Sequence, residues 1–223
     1  MYLIIVGAGK IGSNLIDMAV NDGNDVVVIE RDEARAQAVS RRHDCLVLNT
    51  DATTNGALRD ADVDRADAVI STTNIDAVNI MVMLLAQEHG VPSLVSVVHD
   101  PEHLPVFEKI GVNLMETPQR LIADHLYHSV RYPDVHDFIE LEDGTELIEL
   151  TVSENADMAG RSLNAAKEGD VLPDGCLVVA LSRDGDVRAP QGNTVIQADD
   201  QVTVFTDDAT LRGAVTAFTG DYP

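Results

Sequence analysis

Tyr2-Leu3-Ile4-Ile5-Val6-Gly7-Ala8-Gly9-Lys10-Ile11-Gly12 is the stretch that sets the architecture of this chain. Tyr2–Val6 is apolar throughout, which reads as a strand buried on both faces. Glycines at 7, 9 and 12 then open a helical segment, Ile11–Asn21, whose Ile11, Leu15 and Ala19 recur at helical spacing. The spacing has a mechanism. Gly7 permits a tight turn, Gly9 lets a phosphate approach the backbone, and Gly12 lets helix and strand pack closely. An anion would then sit on the helix N-terminus, where unpaired N–H groups and the helix dipole favour negative charge. Lys10 either adds a cation beside the phosphates or faces solvent at the first helical turn.

The same alternation continues for half the chain. Further strands are expected at Asp25–Ile29, Leu46–Leu48, Ala68–Ser71 and Leu94–Val98, with a sixth at Ile110–Met115. Helical segments fall at Asp32–Arg42, Asp76–His89 and Pro101–Lys109. Strand–helix–strand alternation implies right-handed crossovers and a parallel, doubly wound, Rossmann-like sheet. Glu30 ends the second strand, 18 residues after Gly12. A carboxylate there can accept from both ribose hydroxyls and would repel a 2′-phosphate. That favours NAD or an adenosine nucleotide over NADP, although the adjacent Arg31 keeps NADP open. A glycine-rich turn with no ligand is the bland alternative.

Ligands of such sheets lie at the carboxyl ends of the strands. Asp51-Ala52-Thr53 follows the third strand and Thr72-Thr73-Asn74 the fourth. Asp51 is placed to accept from an adenine amine, with the Ala52 backbone on the ring edge. Thr73 and Asn74 are placed along the ribose–phosphate path. Each is also a plausible cap or turn residue, Thr53 as readily as a contact.

Pro118–Val130 forms an amphipathic helix with an apolar stripe of Leu121, Ile122, Leu126 and Val130, started by Pro118 and stopped by Pro133. It either caps its own domain or crosses to a partner. From about residue 137 the texture changes. Strands are expected at Thr145–Val152, Cys176–Arg183 and Gln201–Thr206. A hairpin turn falls at Asp184–Val187. Helices are expected at Gly160–Lys167 and Asp207–Phe218, with Asp207 and Asp208 at the N-terminus of the last. This reads as a small α+β domain. The divisions are 1–118 for the nucleotide-binding domain, 119–136 for the helix and linker, and 137–223 for the second domain.

Composition narrows the function classes. The chain has 223 residues and a formal charge of −23, from 15 Lys+Arg against 38 Asp+Glu. The acids are spread along the chain, as on a solvated surface. Of the acids 26 are Asp, while only three residues are Lys: Lys10, Lys109 and Lys167. Short acids with almost no lysine suggest adaptation to high salt. At molar salt the Debye length is roughly 3 Å, so this self-repulsion would be screened. No basic surface exists for nucleic acid. Two cysteines, Cys45 and Cys176, give neither a disulfide framework nor a metal spacing. No apolar run reaches a membrane span, and the opening residues read as a strand and not a leader, so a cytoplasmic protein is expected. His99 with His103, and His125 with His128, lack a third placed ligand for zinc.

Taken in order, these residues resemble the RCK proteins, the regulators of potassium conductance, and among them the TrkA-type subunits of Trk/Ktr potassium uptake. The likeness rests on Gly7–Gly12 with Glu30, Asp51-Ala52-Thr53, Ala66–Ile70, Asp76-Ala77-Val78-Asn79, and Asp100–His103 leading to Lys109–Val112. In the second half it rests on Ala159–Leu163, Val178–Gly185 and Pro190–Thr194. The resemblance implies a regulator with no catalytic residues. NAD(H), or else ATP, ADP or AMP, would bind Gly7, Ala8, Gly9, Lys10, Ile11, Gly12, Glu30, Arg31, Asp51, Ala52, Thr73, Asn74 and Asp76. It also implies a homodimer assembling into a tetrameric or octameric ring, with Arg120–Val130 as the exchanged crossover helix. Its partner would be a membrane-embedded potassium-translocating subunit (TrkH/KtrB-like), met at the inner face of the cell membrane. Three positions depart from the pattern: Val97 replaces an Arg, Ala77 an acid beside Asp76, and Gln119 a Glu that helps hold a divalent ion. These departures favour NAD(H) over a metal-bridged ATP, and no metal site is expected.

Two other functions compete. An NAD-dependent oxidoreductase needs an acid–base group from a second domain. Residues 137–223 contain no histidine and no Ser–Tyr–Lys set. A nucleotide-responsive adaptor of some other membrane protein is the third reading.

Overall fold

The computed structural model describes residues 1–141, 144–207 and 209–220. It divides into two compact units, Met1–Leu121 and Ile122–Pro223. In the first, six strands form one sheet: β1 (Tyr2–Val6), β2 (Asp25–Ile29), β3 (Leu46–Leu48), β4 (Ala68–Ser71), β5 (Ser93–Val97) and β6 (Leu114–Glu116). Their order is β3-β2-β1-β4-β5-β6, parallel throughout. The order reverses beside β1, which opens a crevice at the carboxyl ends of β1 and β4.

Five helices lie wholly in this half: α1 (Lys10–Asn21), α2 (Glu33–Arg42), α3 (Asn55–Asp60), α4 (Asp76–Glu88) and α5 (Leu104–Ile110); a sixth, α6 (Pro118–Arg131), begins in it and continues into the second unit. Alternate residues of β1 serve two cores. Leu3 and Ile5 pack with Ile16 and Ala19 of α1 and Val39 of α2. Ile4 and Val6 face Leu58, Val82, Met83, Phe107 and Ile110 from α3, α4 and α5. That two-sided burial is why β1 is apolar at every position.

Several boundaries differ from the sequence expectation. Strand 5 begins at Ser93, one residue early. Strand 6 begins only at Leu114, because α5 runs on to Ile110 and ends on Gly111 at φ 83°. That left-handed residue is a helix stop which apolar Ile110 conceals in sequence. Pro101–His103 is a separate 3₁₀ turn before α5. The short α3, capped by the Thr54 side chain on Ala57 N–H, was not expected.

The second unit contains a five-stranded antiparallel sheet of order β10-β9-β11-β8-β7. Its strands are β7 (Val135–Glu140), β8 (Thr145–Thr151), β9 (Leu177–Arg183), β10 (Asp186–Arg188) and β11 (Gln201–Asp207). Helices α7 (Leu163–Glu168) and α8 (Leu211–Thr219) complete it. The β9–β10 turn places Asp184 at φ 55° and Gly185 at φ 83°, the two left-handed residues a tight hairpin requires. β7 was not expected, since its alternation is broken by a register shift at Val135/Asp137. α7 begins at Leu163 and not Gly160, because Ser162 caps it through Ala165 N–H. Asp207 accepts from Thr210 N–H at 2.8 Å, just before α8. Asp208 lies outside the described residues. Ile148, Leu150, Val202, Val204 and Phe218 are fully buried. Among the described residues no helix is long and apolar enough to cross a membrane.

Candidate functional site

A cleft of about 560 Å³ opens at the carboxyl ends of the strands in the first unit. That volume lies in the range of small-molecule and cofactor sites. Its floor is the glycine loop. Gly7 has φ 92°, a left-handed conformation that a side chain would strain. Its N–H donates to Ile29 O, and Thr72 Oγ1 donates to the carbonyls of Val6 and Gly7 at 3.2 and 3.0 Å. The turn is thus held from both neighbouring strands. A Cβ on Gly12 would lie 1.9 Å from Gly7 O and 2.7 Å from Thr72 Oγ1, so α1 approaches β1 only because residue 12 has none. A Cβ on Gly9 would meet nothing within 4 Å. The space above Gly9 is open, as a diphosphate would need.

Gly9 is the N-cap of α1 and offers no side-chain acceptor. The first N–H groups of a helix have no partner within it, and Gly9, Lys10 and Ile11 at this end of α1 line the cleft, an arrangement that can receive an anion. Lys10, the first residue of α1, lines the same cleft, and Arg31 and Arg35 add two further cations.

Glu30 is 6% exposed and forms the wall beside the loop. Its Oε2 accepts from Ala8 N–H at 2.6 Å and its Oε1 from Asp32 N–H at 2.8 Å. These charge-assisted bonds fix the carboxylate in orientation. Each oxygen retains a lone pair for a ligand hydroxyl. Asn49 Nδ2 donates to Glu30 O and ties the end of β2 to the segment after β3.

Asp51 accepts from Thr53 N–H at 2.9 Å and Thr53 Oγ1 at 2.7 Å. Those bonds from Thr53, aided by Arg31, hold its carboxyl below the usual carboxylate range. Asp51 is ionised and keeps one oxygen for a ligand. Thr53 is therefore the turn partner of Asp51, and the cap of α3 is its neighbour Thr54.

The structure brings Gly7, Gly9, Lys10, Ile11, Glu30, Arg31, Asp51, Ala52, Thr73 and Asn74 around one cleft. Ala8 and Gly12 serve it indirectly, through the bond to Glu30 and through helix packing. Asp76 stands apart. It is buried, with its carboxylate accepting from His99 N–H, Asp100 N–H and His103 Nδ1 at 2.9, 2.9 and 2.8 Å. Burial pushes its pKa up, but these hydrogen bonds outweigh burial and hold it down. Asp76 organises the turn after β5 and is outside the cleft lining. Arg35, Ile75 and His99 line the cleft without having been expected. His99 was legible in principle: it follows β5 at the same sheet edge as Asp51 and Thr73. No group of three or more His, Cys, Asp or Glu side chains placed to hold a metal ion occurs among the described residues.

The chain is similar in sequence to several known proteins. The chain is 29% identical over 222 residues to the Trk system potassium uptake protein TrkA homolog of Methanothermobacter thermautotrophicus, spanning 99% of this chain and 100% of that one. It is 29% identical over 219 residues to the homolog of Pyrococcus abyssi, covering 95% of each. Against TrkA of Vibrio alginolyticus it is 27% identical over 210 residues, 91% of this chain but 46% of that one. Among solved structures, the GsuK channel bound to NAD matches the fold with a TM-score of 0.68 at 19% identity, over 100% of this chain and 40% of that one. The GsuK RCK domain matches at 0.67 and 18% identity, over 100% of this chain and 48% of that one. The TrkA-N domain family model matches residues 3–118 and the TrkA-C domain model residues 147–218. The chain therefore belongs to the TrkA family.

Proposed function

We propose that this chain is the nucleotide-sensing regulatory subunit of a potassium-transport system. NAD(H), or an adenine nucleotide, would occupy the cleft of the first unit as a signal and not as a reactant. One observation carries the reading: a glycine floor at the N-terminus of α1 stands beside a carboxylate whose two oxygens are aimed by backbone N–H groups. Anion donors and a hydroxyl acceptor at that spacing suit a diphosphate joined to a ribose. The relatives that match the full chain carry Trk names, and the GsuK channel of similar fold binds NAD and, in another structure, ADP.

Regulation requires that the ligand bind one conformation better than another, since equal affinity shifts nothing. Helix α6 supplies a surface for this. Leu121, Ile122, Leu126, Tyr127 and Val130 are all more than half exposed on it. We assign that stripe to contact with a second copy, in a dimer that assembles into a ring. The segment 119–136 is then the crossover between a nucleotide domain and a C-terminal domain. The ring would dock on a membrane-embedded potassium-translocating subunit at the cytoplasmic face.

Thermal unfolding in molar KCl tests the reading. NAD, NADH, ADP or ATP at saturation should raise Tm through preferential binding to the folded state. No shift with any of them overturns it. Glu30→Ala should weaken NADH binding by about 1–3 kcal/mol, from the lost acceptor and the released Ala8 N–H. Calorimetry reads this directly, and an unchanged Kd would remove Glu30 from the ribose. Turnover of NADH with a small carbonyl substrate would instead support an oxidoreductase.

A further inference from the structure

The cleft lies across the reversal in strand order, and its two halves differ. On the β2–β3 side it is charged, with Glu30, Arg31, Arg35 and Asp51. On the β4–β5 side it presents Thr73, Asn74, Ile75 and His99. The glycine loop lies between. A ligand whose ribose meets Glu30 and whose diphosphate meets the loop fills the charged half and stops there. Only a ligand that continues past its diphosphate, as a dinucleotide does, reaches Thr73 and His99.

His99 connects that far half to α6. Its Nε2 lies 2.9 Å from Thr73 O, and its Nδ1 lies 2.7 Å from Nε2 of Gln119, in the first turn of α6. A neutral ring protonated on Nε2 satisfies both bonds, donating to the carbonyl and accepting from the amide. The backbone behind the ring is held: His99 N–H and Asp100 N–H both donate to buried Asp76. Thr73 is held as well. Its Oγ1 donates to Asn79 Oδ1 at 2.6 Å, and Asn79 Nδ2 donates to Thr73 O and Val97 O. The anchors are rigid, which leaves the His99 ring and the exposed Gln119 side chain as the parts free to rearrange.

Resting on the nucleotide reading of the cleft, we infer that the His99–Gln119 hydrogen bond is the joint through which the occupant is reported to α6. The joint discriminates by ligand length. A dinucleotide displaces or tightens it, whereas an adenosine diphosphate binds without touching it. Gln119 is outside the cleft lining, so it transmits and does not bind.

Hydrogen exchange on the full chain in molar KCl, with ADP and with NADH at saturation, separates the possibilities. Both ligands should protect residues 7–12. NADH alone should change exchange across 118–131, by about threefold or more. Gln119→Ala should keep NADH affinity and the protection at 7–12 while abolishing the change at 118–131. An equal change at 118–131 with ADP and NADH, or a full NADH response in Gln119→Ala, overturns the inference and leaves the nucleotide reading intact. No protection at 7–12 by either ligand removes the nucleotide reading, and this inference with it.

Discussion

Helices α1 and α6 look alike in sequence and end in opposite situations. Both are amphipathic and of similar length, 12 and 14 residues. The buried face of α1 is inside, with Ile16 at 0% and Ala19 at 6% exposure; of the stripe expected from sequence, Ala19 is on it, Leu15 is partly buried, and Ile11 is 40% exposed at the cleft. The stripe of α6 is outside: Leu126 is 61% and Val130 81% exposed, and no described residue of α6 is buried. Apolar periodicity states that a helix has an apolar partner. It does not state which chain supplies it. For α1 the partner is the sheet three residues upstream in the same chain. For α6 we assign a second copy.

The contrast breaks most visibly on truncation. Ile16→Ala should cost about 4 kcal/mol of unfolding free energy, from lost burial and the cavity left behind, read by denaturant unfolding. A cost under about 1 kcal/mol would mean the α1–sheet contact is loose. Gly12→Ala should cost roughly 2 kcal/mol even though alanine favours the helix by about 1 kcal/mol, because its Cβ meets backbone and not a flexible side chain. Leu126→Asp should leave the unfolding free energy of dilute monomer within about 0.5 kcal/mol, yet remove the concentration dependence of Tm and shift sedimentation toward monomer. An unchanged sedimentation profile would deprive α6 of its proposed partner.

The smallest effect concerns the turn that carries His99. The hydrogen bond to Asp76 raises the His103 pKa, and Asp76 itself is held low. The signs follow. The His103 contribution is complete below its unfolded pKa and is lost as pH rises through the raised folded value. The Asp76 contribution is present above its unfolded pKa and is lost as pH falls through the lowered folded value. The pair therefore supports the turn most in weakly acidic solution. The Tm difference between wild type and His103→Ala should shrink from about pH 6 to about pH 9. Proton NMR should find His103 titrating above the ordinary histidine value, and returning to it in Asp76→Asn.

The parallel strands, the glycine loop and Glu30 were readable from residue order because each signal is local. A strand covered on both faces is apolar nearly throughout, as β1 is. A helix that packs as closely on its strand as α1 does on β1 needs glycine at the contact, as at Gly12. A left-handed turn selects glycine. The tight β9–β10 hairpin at Asp184-Gly185 was legible for the same reason. The misses have physical causes too. α3 is six residues long, too short to show a period. β7 carries a register irregularity that breaks its alternation.

Sequence alone established the groups on offer here: a glycine loop opening a helix, a carboxylate at the end of β2 and a helix with an apolar stripe. Which groups are already spent was set by contacts between distant segments. Asp76 faces backbone N–H groups 23 and 24 residues away and is used up there. Glu30 reaches Ala8 across 22 residues and is thereby aimed into the cleft. His99 finds Gln119 across 20. A carboxylate or an imidazole has the same letter whether it meets a backbone amide or a ligand, and only the folded neighbours distinguish the two.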